Sequence, residues 1–247
     1  MPTPPYRQIA AELRHRITTG ELAPGDRVPS ENAIVSEYGV AAETARKALG
    51  VLAAEGLTEA RRGSGTRVRA FRPILRRGTK RLAQSGWGEG RSIWEFDLDG
   101  RPLRADRVTV EPDAPSPAHV AVALGLAVGD PVCIRDRRYL VDDEPVMLAT
   151  SYLPTALVVG SPITQPDTGP GGTYARLAEL GCAPVHFREV VRSRMPLPEE
   201  AEALALGVGT PVVLIVRYAY AAEGLPVEVN EMVLDASRYL MEWEFPA

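Results

Sequence analysis

Pro29-Ser30-Glu31-Asn32-Ala33-Ile34-Val35-Ser36-Glu37-Tyr38-Gly39-Val40, then Thr44-Ala45-Arg46-Lys47-Ala48-Leu49, Glu55-Gly56-Leu57 and Arg61-Arg62-Gly63-Ser64-Gly65-Thr66, decide the fold of the first third of the chain. Ser30 is placed to cap a helix whose apolar face is Ile34, Val35 and Tyr38. Gly39 stops that helix where a left-handed residue is favoured. In the helix that follows, Ala45, Leu49 and Leu52 face a core while Glu43, Thr44, Arg46 and Lys47 face solvent. Two strands, Leu57–Arg61 and Thr66–Arg69, then flank a tip rich in glycine and arginine. Such a unit is too thin to enclose a substrate. It is well shaped to lay a helix in the major groove and a wing along the phosphates.

Upstream, Tyr6, Ile9, Leu13 and Ile17 recur at helical spacing, and Gly20 with Pro24-Gly25 ends that first helix. Helix, helix, tight turn, helix, hairpin is therefore expected over residues 1–70. Charge supports the same division. Residues 1–81 carry 15 Lys and Arg against 8 Asp and Glu, an excess of seven positive charges. The rest of the chain carries 13 against 24, an excess of eleven negative charges within a net charge of −4. A positive head on a negative body points to a polyanionic partner for the head alone. Residues 71–81 hold Arg72, Arg76, Arg77, Lys80 and Arg81 without helical or strand periodicity, and read as a connector that is solvated or hugs phosphates.

At 247 residues with 45% hydrophobic content, the chain is long enough for two folded domains. The longest apolar runs, such as 118–126, are too short to span a bilayer, and no signal peptide is expected. Cys133 and Cys182 match no metal or redox spacing and fit a reducing compartment, so a cytoplasmic protein without cofactor is expected.

Residues 82–247 are strand-rich and hold an internal repeat. Leu126-Ala-Val-Gly129-Asp-Pro131-Val132 recurs as Leu206-Gly-Val-Gly209-Thr-Pro211-Val212, each followed by an arginine at the same offset, Arg137 and Arg217. Each copy returns through Glu144-Pro-Val146 or Leu225-Pro-Val227. Amphipathic helices at 117–125 and 198–206 precede the copies. Two helix–hairpin units predict one antiparallel sheet with pseudo-symmetry. Asp97-Leu-Asp-Gly100, between Trp94/Phe96 and Val108/Val110, predicts a further hairpin turn rather than a calcium loop, whose remaining ligands are missing. Gly169-Pro-Gly-Gly172 precedes a helix at Thr173–Gly181, and reads as an anion-holding helix start or as a plain flexible loop.

Catalytic patterns are absent. His15, His119 and His186 lie on dissimilar elements, no serine or cysteine has a triad-like setting, and no phosphate-binding loop occurs. Glu199, Glu200 and Glu202 open a helix, where negative charge suits the dipole.

Residues 5–68 resemble the winged helix-turn-helix domain of the GntR family of bacterial transcription regulators. The resemblance rests on Tyr6, Gln8-Ile9, Leu13, Ile17, Gly20, Leu22, Pro24-Gly25, Pro29-Ser30-Glu31, Gly39-Val40, Thr44, Arg46, Ala48-Leu49, Leu52, Glu55-Gly56-Leu57 and Gly63-Ser-Gly-Thr66. It implies DNA contacts from Ser30, Glu31, Asn32, Thr44, Arg46 and Lys47, and from Arg62, Gly63, Ser64, Gly65 and Thr66 on the wing. Asn32 and Ala41-Ala42 stand where the family often has arginine and Ser-Arg, so the operator sequence of relatives does not transfer.

The body resembles the UTRA ligand-sensing domain of the HutC subfamily, a fold related to chorismate lyase. It does so through Leu-x-x-Gly-x-Pro-Val, Arg137, Glu144-Pro145, Ser151-Tyr152-Leu-Pro154, Tyr174 and Pro226-Val-Glu228. The implied whole is an α+β chain: a winged helix-turn-helix at 1–70, a connector at 71–81, and a mixed, mainly antiparallel sheet domain of chorismate-lyase type at 82–247. Trp87, Arg137, Tyr139, Tyr174, Arg217, Glu228 and Asn230 are the expected effector contacts, the tyrosines reading equally as core. Tyr139, Ala149 and Gly172 replace an arginine, a glutamate and a serine of relatives that bind sugar phosphates, so a less polar, non-phosphorylated effector is expected. The expected function is a homodimeric, effector-responsive repressor of a double-stranded DNA operator with inverted half-sites. The alternatives are an enzyme on the same sheet with accessory DNA binding, and a constitutive binder with a vestigial pocket.

Overall fold

A computed structural model of the chain describes residues 4–61, 65–70, 73–78, 82, 93–94, 98 and 100–244. The chain divides into two compact units, Met1–Arg72 with Ala205–Thr210, and Pro73–Leu204 with Pro211–Ala247. The architecture is α+β.

The first unit holds α1 (Pro5–Thr18), α2 (Glu31–Tyr38), α3 (Ala42–Ala54) and an antiparallel hairpin of β1 (Thr58–Arg61) and β2 (Gly65–Val68). Pro5 starts α1 where its missing N–H is not needed, and His15 and Arg16 lie in its last turn, near the negative end of the dipole. The Ser30 side chain accepts from the Ala33 N–H at 3.2 Å, and Gly39 closes α2 with φ +63°. Ile9, Ala10 and Leu13 of α1, Ile34 of α2, and Ala45, Ala48 and Leu52 of α3 form one dry core with Leu22, Val28 and Val68. Arg14 donates to Glu55 at 2.8 Å and ties α1 to the end of α3. Residues 26–28 run antiparallel beside β2, with Val68 N–H donating to Asp26 and Val28 N–H to Thr66, so the wing is anchored on its inner edge. The wing tip, Arg62, Gly63 and Ser64, lies outside the described residues.

The second unit is built on a six-stranded antiparallel sheet. Its strands are β4 (Leu103–Pro115), β5 (Pro131–Val141), β6 (Glu144–Pro154), β7 (His186–Arg194), β8 (Val212–Tyr220) and β9 (Pro226–Asp235), in the order β4-β5-β6-β9-β8-β7. That order mirrors the repeat. The halves β4-β5-β6 and β7-β8-β9 meet at the β6–β9 pair. Each carries one short helix before its second strand, α4 (Ala118–Leu124) or α7 (Pro198–Ala203), and α5 (Thr155–Val158) follows β6.

One expectation needs correction. The stretch 71–81, expected to lack regular structure, contains β3 (Ile74–Arg77), which pairs in parallel with β10 (Tyr239–Glu242). Local periodicity cannot show it, because the partner strand comes from the far end of the chain. The hairpin expected between Trp94/Phe96 and Val108/Val110 is a separate case: Phe96, Asp97 and Asp99 lie outside the described residues. Among those described, the Arg101 N–H donates to the Leu98 carbonyl in a turn, and β4 pairs with β5.

Side chains alternate across the sheet, and one face carries the main apolar clusters. Cys133, Leu153 and Ala219 pack there under Val158, Ile163, Tyr174 and Leu177. Tyr139, Met147, Ala149, Ile215, Met232 and Leu234 pack with Ile74 and Leu98. Strand register interrupts this face with a single polar rung. Arg135 pairs with Ser151, Ser151 with Asn230, Asn230 with Arg217, and Arg217 with Glu189, across five strands. The neighbouring rung, Ala149-Met232-Ile215-Val191, is apolar beyond Arg137. A polar rung in a buried face is costly unless its groups find partners, so what lies over it matters.

Candidate functional site

In the first unit, the residues expected to meet DNA gather where α2 and α3 begin. Ser30, Asn32, Arg46, Lys47 and Gly65 are exposed, and Glu31, Thr44 and Thr66 half-buried. Arg46 on α3 lies 3.7 Å from Glu31 on α2 and 3.4 Å from Glu43, and Lys47 lies 3.6 Å from Glu43. Arg46 and Lys47 keep about 60% of their side-chain surface in water. Ion pairs so exposed are worth little, and both cations are available to a stronger anion such as a phosphate. Ser30 has a structural duty as well, since its hydroxyl caps α2.

In the second unit a cavity of about 390 Å³ lies over the first-half end of the polar rung. It brings together Arg137, Tyr139, Tyr174, Glu228 and Asn230 of the expected contacts. Trp87 lies outside the described residues. Arg217 does not line the cavity: it is fully buried, with Tyr174 over it, and backs the wall. Its strand parity places it on the correct face but cannot show what covers it. Sequence reasoning missed Arg135, Trp94 and Pro166–Thr168 as cavity residues, all of which line it. Arg135 was legible, because it lies two residues before Arg137 on one strand and must share its face.

Helix α6 (Gly172–Glu179) roofs this region, and Gly171 before it adopts φ +79°, a conformation that favours glycine. Thus Gly169-Pro-Gly-Gly172, weighed above between a flexible loop and an anion-holding start, forms cavity wall and helix start. The Arg135 guanidinium donates to the backbone carbonyls of Ile163, Gln165 and Pro166, which fixes the chain leading into that wall. Burial, then the neighbouring Arg137, pushes the Arg135 pKa down to about 10, so it remains charged at neutral pH. Arg137 donates to the Ser151 hydroxyl. Neither arginine meets a carboxylate among the described residues, and each has a buried Nε without a hydrogen-bond partner. The cavity lining therefore carries two positive charges, Arg135 and Arg137, beside two carboxylates, Glu228 and Asp167.

The opposite wall is aromatic. Trp94 and Tyr139 lie with ring centroids 5.3 Å apart, and the Arg137 guanidinium is 6.0 Å from the Tyr139 ring. Tyr174 donates its hydroxyl to Glu228 at 2.8 Å. Burial, and then the negative Glu228, pushes the Tyr174 pKa upward, so it stays a neutral donor. Asn230 is 3% exposed and its Oδ1 has no hydrogen-bond partner among the described residues. Arginines, carboxylates and an amide thus share one cavity of mixed polarity with aromatic rings, an arrangement able to hold a small molecule. Among the described residues no cluster of His, Cys, Asp or Glu could hold a metal ion.

Both units match known families. Residues 5–68 match bacterial regulatory proteins of the gntR family, and residues 100–240 match the UTRA domain. An uncharacterized HTH-type transcriptional regulator of Streptomyces coelicolor is 32% identical over 98% of this chain and 93% of its own. The HTH-type transcriptional repressor PhnF of Mycolicibacterium smegmatis is 28% identical over 92% of this chain and 90% of its own. The crystal structure of PhnF aligns with 97% of this chain and 99% of its own, at TM-score 0.59 and 26% identity. That of another GntR-family transcriptional regulator covers 99% and 98%, at TM-score 0.64 and 32% identity. With matches across both units, the chain belongs to the GntR family of bacterial regulatory proteins, as a DNA-binding transcriptional regulator with a UTRA effector domain.

Proposed function

We propose that this regulator is a homodimeric, HutC-type repressor in the cytoplasm, released from an inverted-repeat operator when a small non-phosphorylated molecule fills the cavity. The observation that carries the reading is the cavity itself, where Tyr139 packs on Trp94 and Gly172 brings no side chain. A phosphate dianion would find only Arg135 and Arg137 there, and Arg135 is already spent on three carbonyls. A ligand with an apolar body and at most one negative charge suits the aromatic wall, with Arg137, Glu228 and Asn230 as polar anchors.

For DNA, Arg46, Lys47 and Thr44 on α3 are the contacts to base edges or phosphates. Ser30, Glu31 and Asn32 flank them, and the wing from Arg62 to Thr66 tracks the backbone. Paired heads of a dimer would meet half-sites about one helical turn apart, roughly 34–36 Å. Selection of duplexes from a random library should return an inverted repeat, and sedimentation should show a dimer. Thermal shifts should appear with apolar monoanionic metabolites and not with sugar phosphates. No preference for any selected duplex over scrambled DNA at low salt would overturn the regulatory reading; stabilisation by sugar phosphates alone would overturn the effector class.

A further inference from the structure

The polar rung does not stop at the cavity. Beyond it, Arg217 is fully buried on β8, its Nη1 3.4 Å from the Tyr174 hydroxyl and its Nε 2.8 Å from Glu189 on β7. The same Glu189 oxygen also accepts from Arg76 at 2.6 Å, and Arg76 is 2% exposed. Arg76 belongs to β3, which begins two residues after Arg72, where the first unit ends. Cavity wall and β3 are thus joined by an unbroken buried series: Glu228, Tyr174, Arg217, Glu189, Arg76. Its four charged members balance, two positive and two negative.

Two features make this series more than a packed ion cluster. One carboxylate oxygen serves two arginines, so a stronger demand from one weakens the hold on the other. Among the described residues, Arg217 also keeps a buried Nη2 with no hydrogen-bond partner, so its guanidinium has a donor in reserve there. Inside a protein, charged groups feel each other strongly, and each lost partner is replaced poorly or not at all.

We propose that Glu189 is a shared acceptor whose division between Arg217 and Arg76 couples the state of the cavity wall to strand β3. A molecule that takes the Tyr174 hydroxyl or Glu228 for itself deprives Arg217 of its partner at that end. Arg217 then turns more of its hydrogen bonding to Glu189, and Arg76 loses its share. The β3–β10 pair loosens, at the point where the chain passes to the DNA-binding unit. Arg217, Glu189 and Arg76 are positioning residues in this scheme and touch neither ligand nor DNA. The inference rests on the reading of the cavity as the effector site.

The test needs no effector. Tyr174→Phe in the full chain removes one hydroxyl and mimics its diversion, with hydrogen exchange of residues 74–77 and 239–242 as the readout. Exchange there should quicken about tenfold, the scale of one lost hydrogen bond to a charged group, while exchange in α1–α3 stays unchanged. In an Arg76→Gln background the same change should add little, because the far end of the series is already cut. A Tyr174 that merely packs would loosen α6 and leave β3 untouched; that result overturns the proposal even if Arg76→Gln fails to fold. Library-selected DNA and thermal shifts report separately on the functional reading, so the coupling can fail while that reading stands.

Discussion

Arg46 stands clear of its core, held by Glu31 and Glu43 across 3.7 and 3.4 Å of well-hydrated space. Its removal costs the fold almost nothing, whereas a contact to phosphate or guanine is lost outright. Arg46→Ala should therefore leave the melting temperature unchanged and weaken binding to a selected duplex about tenfold or more, measured by fluorescence anisotropy. Ser30 makes the opposite kind of contribution. Ser30→Ala deletes the acceptor for the Ala33 N–H and should lower stability by about 1 kcal/mol in denaturant titration, whatever it does to DNA binding. Such single-residue roles were legible wherever they depended on neighbours in sequence. Ser30, Gly39 and the parity of Arg137 and Tyr139 all belong to that class. Arg217 was not, since parity assigned its face but only the folded chain lays Tyr174 over it.

Among the elements, α7 shows how a helix of six residues persists. The Glu200 carboxylate accepts the Leu197 N–H at 2.8 Å and two hydrogen bonds from Arg194, 2.6 and 2.7 Å, and so fixes both the helix start and its attachment to β7. The hydrogen-bonded Arg194 holds the Glu200 pKa below its ordinary 4.5, against burial and with help from the Leu197 N–H. A carboxylate with a depressed folded pKa stabilises fully above its unfolded value and loses that contribution as pH falls through the folded one. Glu200→Gln should thus lower the urea midpoint at pH 7. The gap to the parent should close as the pH drops below 4.5, because the parent loses the same contribution. A gap that stays constant from pH 7 to pH 3 would remove Glu200 from this role. The sequence places Glu199, Glu200 and Glu202 at a helix start, and in the fold Glu200 also closes the cap. Element pairing was harder to foresee. The β3–β10 pair joins residues more than 160 apart, and no pattern within either strand announces the other.

For the molecule as a whole, charge is distributed unevenly enough to be measured. The first 81 residues carry seven excess positive charges and the remainder eleven excess negative ones, so duplex DNA is attracted to one part of the chain and repelled by the rest. Affinity for a selected duplex should fall steeply and linearly on a log–log plot against salt, and Lys47→Ala should reduce the slope by about one counterion. A slope near zero would mean that phosphates are not the partner. The division of the chain also orders its assembly. The apolar cluster of the first unit draws on residues 6–68, although Ala205–Thr210 also belong to that unit, while the cavity needs side chains from Ile93 through Asn230. A ribosome that has finished the former has not begun the strands that complete the latter. Each nascent polypeptide thus completes the apolar core of its reader before the strands that line its sensor exist.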